Sequence, residues 1–157
     1  MKIVLGSDKS GYGLRTKIEA HLTQLGHELT VFGPRDKEEA VPFFKVAPEA
    51  ARMIQTGEAD IGILICGTGM GMSQVANKFK GIRAACVENV YSAKMCKVIN
   101  DSNILCMGGW TTAPELGIAM TDAFLEAEFV TGVEEWRVAW LQNAKNEFMK
   151  LEDEIYG

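Results

Sequence analysis

A glycine-rich loop that begins with a cysteine is the part of the sequence best suited to chemistry. It follows the continuous apolar run Ile61–Ile65 and reads Cys66-Gly67-Thr68-Gly69-Met70-Gly71. Alternating glycines let the backbone turn tightly, and where such a loop enters a helix its N–H groups converge on one point. This pattern predicts a site for an anion or an oxyanion beside the sulfur of Cys66.

These residue types fit the removal of a proton from a carbon next to a carbonyl group. The positive end of a helix stabilises a thiolate, which can act as a base. Proton removal creates an enediolate, whose oxygen charge converging N–H groups can hold. The residues alone leave two interpretations open, a catalytic thiolate at Cys66 or an inert buried thiol.

Other glycine-rich sites fit the sequence less well. The dinucleotide fingerprint has the spacing G-x-G-x-x-G in the first βα turn, whereas this loop has G-x-G-x-G after the third strand. The stretch from Gly6 to Gly11 has P-loop spacing, but Tyr12-Gly13 stands where Lys and Ser or Thr are required. The pattern therefore disfavours a dehydrogenase and a P-loop nucleotide site.

The histidines are also unsuited to proton transfer at this loop. His21 and His27 are the only two, and both flank the end of the first predicted helix. This position is far from the strand ends, so we expect surface or structural roles for them. Proton transfer then falls to Cys66 or to a carboxylate such as Asp8.

Strand-like and helix-like segments alternate along the chain and position these residues. The predicted strands are Lys2–Gly6, Glu28–Phe32, Ile61–Ile65, Ile82–Cys86 and Ile104–Met107. Helices are predicted over residues 13–25, 44–56, from the glycine loop to 77, 90–99 and 114–126. This alternation predicts an α/β fold with a Rossmann-like, doubly wound parallel sheet of five strands. Ligands bind beyond the carboxyl ends of such strands, where Asp8 and Cys66 stand.

Residues 1–132 are predicted to form this domain, and residues 133–157 an extended C-terminal helix. Its apolar residues recur at helical spacing between charged ones, and they are Trp136, Trp140, Leu141, Ala144, Phe148, Leu151 and Ile155. Such an amphipathic helix is expected to pack on the domain or on a neighbouring subunit.

Composition narrows the class of protein further. The chain has 157 residues, a net charge of -5 and 47% hydrophobic residues. The acidic balance argues against nucleic acid as a partner, and no apolar run is long enough for a membrane helix. Four cysteines without a C-x-x-C pair predict no metal site. Free thiols and the absence of a signal peptide favour a cytoplasmic location.

Several motifs together resemble one family over residues 1 to about 130. They are Met1–Asp8, Gly57–Asp60, Ile63–Ser73, Ala76–Lys78, Gly81–Ala85, Val90–Ala93 and Asn100–Asn103. Their order and spacing are similar to those of the ribose-5-phosphate isomerase B and galactose-6-phosphate isomerase family. The resemblance implies a Rossmann-like homodimer, or a dimer of dimers, with active sites at the dimer interface. It also implies a sugar-phosphate substrate and no metal or nucleotide cofactor.

The resemblance also implies roles for individual residues. Cys66 would be the base that moves a proton between C1 and C2, and Asp8 would bind hydroxyl groups. Asn100 would reach across from the partner subunit to an enediolate oxygen, and Arg137 would bind phosphate. The enediolate hole would be formed by Gly67, Thr68, Gly69, Met70 and Gly71, with Thr68 also near the sugar oxygens.

The sequence departs from this family at five positions. Members of the ribose-5-phosphate branch usually have histidine at Lys9 and Ile99, arginine at Trp110 and Val133, and tyrosine at Val41. The histidine replaced by Ile99 is the one assigned to opening the sugar ring, a proton transfer that isoleucine cannot perform. Lys9 could supply one cation to the altered phosphate pocket.

These departures suggest a particular substrate. A tetrose 4-phosphate has its O4 esterified and cannot close a furanose ring, so its isomerase needs no ring-opening acid. Trp110 would also fill space that a longer sugar needs. We therefore expect an aldose–ketose isomerase that works through a cis-enediol and prefers tetrulose 4-phosphate. A ribose 5-phosphate or galactose 6-phosphate isomerase, and a non-catalytic sugar-phosphate binding protein, are the alternatives.

Overall fold

Five parallel strands form the sheet in the computed structural model, which describes residues 1–157. They are β1 (Lys2–Ser7), β2 (Glu28–Phe32), β3 (Ile61–Cys66), β4 (Ala84–Cys86) and β5 (Ile104–Gly108), in the order β2-β1-β3-β5-β4. The predicted five-stranded parallel sheet is confirmed. β4 is shorter than predicted, because Ile82 lies in a turn in which its N–H donates to Phe79 O.

Six helices accompany the sheet, close to their predicted bounds. They are α1 (Tyr12–Gln24), α2 (Phe43–Gln55), α3 (Met70–Ala76), α4 (Val90–Asn100), α5 (Pro114–Glu126) and α6 (Glu135–Tyr156). One apolar core packs the sheet against α1, α4 and α5, and the other packs it against α2 and α3. Residues of β3 alternate between them, so Ile65 belongs to the first core and Cys66 to the second.

The chain reverses its winding direction between β1 and β3, which are neighbours in the sheet. Beyond their carboxyl ends lie the loop that follows Ser7 and the loop that contains the three glycines. The first loop is joined to the end of β3, where the N–H of Asp8 donates to Ile65 O at 3.1 Å. In open α/β sheets this reversal point is the usual place for a ligand, so the fold places the glycine loop at the expected site.

His21 has a structural position, as expected for it. His21 Nε2 lies 2.7 Å from Asp122 Oδ1, and this contact joins α1 to α5. The glycine loop lies between β3 and α3 and is not part of this contact.

The final helix, α6, is held to the domain chiefly by polar contacts. Lys145 pairs with Asp101, Lys80 with Asp153 at 2.8 Å, and the N–H of Gly81 donates to Glu152 at 2.6 Å. The apolar face of α6 stays largely uncovered, because Leu141 is its only buried residue. Trp136 is 69% exposed and Trp140 is 63% exposed. A mostly apolar groove of about 740 Å³ separates α6 from α4 and β4.

The outer edge of the sheet is covered by a side chain. β4 is one of the two edge strands, and the polar groups of its first residue, Ala84, face away from β5. Ala84 N donates to the side-chain oxygen of Asn77 at 2.8 Å, and the Asn77 amide donates back to Ala84 O at 2.9 Å. The polar groups of Ala84 are therefore satisfied within the chain.

No helix of the structure has the length and apolar character required to cross a membrane.

Candidate active site

Cys66 ends β3 and forms the floor of the loop rather than its rim. The residue is only 3% exposed and faces the core that contains α2 and α3. Its sulfur accepts a hydrogen bond from the N–H of Gly69 at 3.2 Å. Gly69 precedes the seven-residue helix α3 and has a φ of +79°, a left-handed conformation that strongly favours glycine. This turn bends the backbone back toward the sulfur.

The carbonyl groups of the loop are fixed by the loop that follows β5. Gly109 N donates to Cys66 O at 2.7 Å, and Trp110 N donates to Gly67 O at 3.0 Å. In a trans peptide the N–H points opposite to the C=O of the same unit. The N–H groups of Gly67 and Thr68 therefore point away from the β5 loop, and neither has an acceptor within the chain. They are free to bind an oxyanion.

Each glycine of the loop has a neighbour where a Cβ would be. A Cβ on Gly67 would lie 2.8 Å from three indole carbons of Trp110, so the indole face covers this residue. A Cβ on Gly71 would lie 2.9 Å from the ring of Phe43. A Cβ on Gly69 would meet the backbone of Met107 at 2.8 Å. The alternating glycines thus allow close packing around the loop.

The other residues predicted on this side of the site lie beside the loop. Asp8 Oδ1 accepts from Gly11 N at 3.0 Å, and burial raises the pKa of the Asp8 carboxyl against the opposing hydrogen bonds. Thr68 Oγ1 accepts from Met70 N at 3.3 Å. Lys9 is exposed, and its ammonium group lies 3.5 Å from Glu38 O. The structure therefore groups Asp8, Thr68 and Met70 with Cys66.

Asn100 does not reach Cys66 within one chain. It ends α4, and three residues later Asn103 O accepts from Gly62 N, near the start of β3. From Gly62 to Cys66 the strand advances about 13 Å, four residues at about 3.3 Å each. Asn100 thus lies at the amino edge of the sheet, and Cys66 at the carboxyl edge.

Arg137 lies in a cavity that no residue of the glycine loop lines. It lines a cavity of about 690 Å³ between α4 and the start of α6, together with Ile99 and Val133. Its guanidinium lies 3.5 Å from Glu134 and stacks near the ring of Trp136. The residues predicted to contact substrate are therefore divided between two separate surfaces of the chain.

Sequence reasoning missed several residues that shape the loop. Cys86, at the end of β4, places its thiol 3.5 Å from Thr68 O. Burial raises the pKa of the Cys86 thiol, and the nearby Cys66 adds to this effect. Arg15 is buried and donates to Pro34 O at 2.8 Å and to Ser7 Oγ at 3.3 Å, so it fixes the chain before Asp8. The pair Gly108-Gly109 is the one feature of the sequence that could have indicated a turn after β5.

No group of three or more His, Cys, Asp or Glu side chains is arranged to hold a metal ion. All four cysteines are free.

Comparisons with known proteins agree with this fold. The family described as Ribose/Galactose Isomerase matches residues 3–141. The chain is 51% identical to the 4-deoxy-4-sulfo-D-erythrose isomerase of Clostridium sp. (strain MSTE9), over 99% of this chain and 98% of that protein. It is 38% identical to D-erythrulose-4-phosphate isomerase 2 of Mycolicibacterium smegmatis, over 82% of this chain and 86% of that one.

A solved structure, the ribose-5-phosphate isomerase B of Clostridium thermocellum, superposes with a TM-score of 0.89 at 36% identity. The superposition covers 99% of both chains, so it includes the C-terminal helix.

A parallel α/β sheet with a cysteine and unpaired N–H groups at its reversal point is an arrangement suited to stabilising an oxyanion. The chain belongs to the Ribose/Galactose Isomerase family. It is an aldose–ketose isomerase, and the alternative of a non-catalytic binding protein is set aside because the matched relatives are isomerases.

Proposed function

We propose that this isomerase interconverts the aldose and ketose forms of a four-carbon sugar that carries a sulfonate on C4. The observation that carries the proposal is the 51% identity to a 4-deoxy-4-sulfo-D-erythrose isomerase over 98% of that protein's length. The predicted tetrulose 4-phosphate is the second candidate, favoured by the 38% identity to a D-erythrulose-4-phosphate isomerase. Both substrates have four carbons and an anionic end.

The charges near the candidate site favour a sulfonate over a phosphate. A sulfonate carries one negative charge, whereas a phosphate monoester carries about 1.5 to 2 at neutral pH. The cavity that contains Arg137 also contains Glu134, which pairs with it. Lys9 is the other cation among the proposed binding residues. The proposed site thus has two cations, and Glu134 partly neutralises one of them, Arg137. Such a site suits a group with a single negative charge.

Ring chemistry is consistent with a four-carbon substrate. A tetrose with its C4 oxygen esterified, or replaced by sulfur, has no hydroxyl that could close a furanose ring. Ile99, which lines the cavity with Arg137, has no proton to donate to a ring oxygen. An isomerase for an open-chain sugar does not need such a donor.

The geometry of the loop supports the following mechanism. Cys66 Sγ removes the proton from C2 of the aldose, and the carbonyl electrons move onto O1 to give a cis-enediolate. The N–H groups of Gly67 and Thr68 hold this oxygen charge, and the hydrogen bond from Gly69 stabilises the sulfur when it is negative. Cys66 then returns the proton to C1, while the O2 hydroxyl proton passes to O1 and a carbonyl forms at C2.

A second copy of the chain completes the site in this proposal. Asn100 and Arg137 lie on a surface separate from Cys66, so the partner subunit would supply them to the first subunit's loop. The uncovered aromatic side chains of α6 and the groove of about 740 Å³ beside them would be buried in the same contact. Residues 133–157 then form an extension that serves the homodimer, and two dimers could pair further.

We also propose the cytoplasm as its location. The mechanism needs a reduced thiol at Cys66, all four cysteines are free, and the cytosol keeps thiols reduced.

Turnover by purified variants tests this proposal. Replacing Cys66 with alanine removes the base, and we expect kcat to fall by about a thousandfold. Thr23→Ala is the control, since Thr23 is exposed near the end of α1 and lines neither cavity, so it should leave kcat unchanged. Wild-type kcat/KM should be highest for 4-deoxy-4-sulfo-erythrose, lower for erythrulose 4-phosphate and lowest for ribose 5-phosphate. Full activity of Cys66→Ala, or a preference for the pentose, would refute the proposal.

A further inference from the structure

Two thiols lie at opposite ends of one peptide group in the glycine loop. The Thr68–Gly69 unit donates its N–H to Cys66 Sγ at 3.2 Å. Its carbonyl oxygen accepts from the thiol of Cys86 at 3.5 Å. Cys66 comes from β3 and Cys86 from β4, which β5 separates in the sheet. One continuous line of hydrogen bonds therefore runs from Cys86 through the backbone to Cys66.

Packing holds this peptide group in place. A Cβ on Gly69 would lie 3.0 Å from Cys86 Sγ and 2.8 Å from the Met107 backbone, so sulfur and backbone are in close contact with this glycine. Cys86 also stands opposite Cys106 of β5 in the parallel register. Its side chain is thus positioned by the sheet rather than by a mobile loop.

Hydrogen bonds in series strengthen one another, because each bond polarises the next. A thiol that donates to the carbonyl oxygen makes the N–H of the same unit a better donor. That N–H points at the sulfur of Cys66, which must be a negative thiolate before it can take a proton from the substrate. A donor must keep its proton, and burial together with the neighbouring Cys66 raises the pKa of the Cys86 thiol in agreement with that role.

We propose that Cys86 is a positioning residue for catalysis, whose thiol orients and polarises the Thr68–Gly69 peptide group toward Cys66. The inference rests on the proposed role of Cys66 as the base. It assigns to Cys86 a contribution to the chemical step and none to substrate binding.

The test compares side chains at position 86 that differ in their ability to donate. Cys86→Ala removes the donor, and we expect kcat to fall about fivefold at constant KM, the effect of one weak hydrogen bond. Cys86→Ser keeps a donor and should retain kcat within about twofold. The pair Cys86→Thr and Cys86→Val has matched volume and gives a second comparison if alanine at this position unfolds the protein.

A second readout does not depend on the substrate. The rate at which iodoacetamide alkylates Cys66, followed by peptide mass spectrometry at fixed pH, should fall in Cys86→Ala and recover in Cys86→Ser. Thr23→Ala serves as the control and should match the wild type. Equal losses in the alanine and serine variants, no loss in either, or a change confined to KM would overturn the inference. Failure of the proposed function is detected separately, by full activity of Cys66→Ala.

Discussion

At the scale of single residues, the glycine loop combines two requirements at Gly69. Its φ of +79° is left-handed, and a Cβ there would meet the backbone of Met107 at 2.8 Å. We expect Gly69→Ala to destabilise the protein by about 2 kcal/mol and to reduce kcat strongly, because the N–H directed at Cys66 would move. Thermal unfolding and turnover measure these effects.

Gly13 provides the control for this change. It lies in α1 with nothing within 4 Å of an added Cβ. Gly13→Ala should therefore be neutral or stabilise the protein by about 0.5 kcal/mol, since alanine is the better helix former. Equal losses of stability in the two variants would contradict the special role of Gly69.

Trp110 sets the expected limit on substrate length. Its indole covers Gly67 next to Cys66, yet the residue is 73% exposed, so one face remains open beside the loop. Trp110→Ala should raise the kcat/KM for ribose 5-phosphate, relative to a four-carbon substrate, by about tenfold, the discrimination that a pocket achieves per methylene. Phe43→Leu, which alters the packing on Gly71 instead, should leave this ratio unchanged. An unchanged ratio in Trp110→Ala would contradict the assignment.

At the scale of secondary-structure elements, Asp101 joins α4, β4 and α6. Its carboxylate receives hydrogen bonds from Lys97 and Lys145 and pairs with Arg83. Burial raises the pKa of Asp101, but the hydrogen bonds from the two lysines outweigh it, so the pKa is lowered overall. A lowered pKa in the folded state gives stability that is present above the unfolded pKa of about 4 and is lost as the pH falls further.

Asp101→Asn tests this junction. Asp101 has a φ of +50°, a conformation that asparagine tolerates, so the change removes the charge and leaves the backbone intact. We expect a loss of about 2 kcal/mol at neutral pH, because three cations lose their partner. The difference from the wild type should shrink as the pH falls below about 4. Urea unfolding at several pH values measures it, and a difference independent of pH would count against the pKa assignment.

Most elements could be predicted from the sequence because their patterns are local. β3 is an unbroken apolar run, and α5 begins at Pro114 as predicted. The start of β4 could not be predicted, because Ile82 is apolar but its N–H is used in a turn. The hydrogen bonds from Gly109 and Trp110 to the carbonyl groups of the glycine loop could not be predicted from local patterns either. Both donors follow β5, which is distant from that loop in the sequence.

At the scale of the whole molecule, the proposed site needs two chains. We expect Cys66→Ala and Asn100→Ala to be inactive as separate homodimers. Refolded together, they should recover about a quarter of wild-type activity, because half of the dimers are mixed and each mixed dimer has one intact site. The recovery is measured as the turnover rate of the mixture per mole of chain, relative to that of the wild type.

Two controls make this mixing experiment decisive. Mixing Cys66→Ala with itself should restore nothing, and sedimentation should show a dimer for both variants. No recovery in mixed dimers of normal mass would place Cys66 and Asn100 in the same chain's site, contrary to the proposal.

The side chain of Asn77 has a consequence for how copies of the chain assemble. An edge strand with unpaired N–H and C=O groups can pair with a strand of another molecule. Repeated pairing of this kind gives filaments without a defined end. Here the amide occupies both groups that Ala84 would offer to such a strand. Strand addition is therefore blocked at Ala84 of the β4 edge, which favours association of copies through helical surfaces over pairing along that edge.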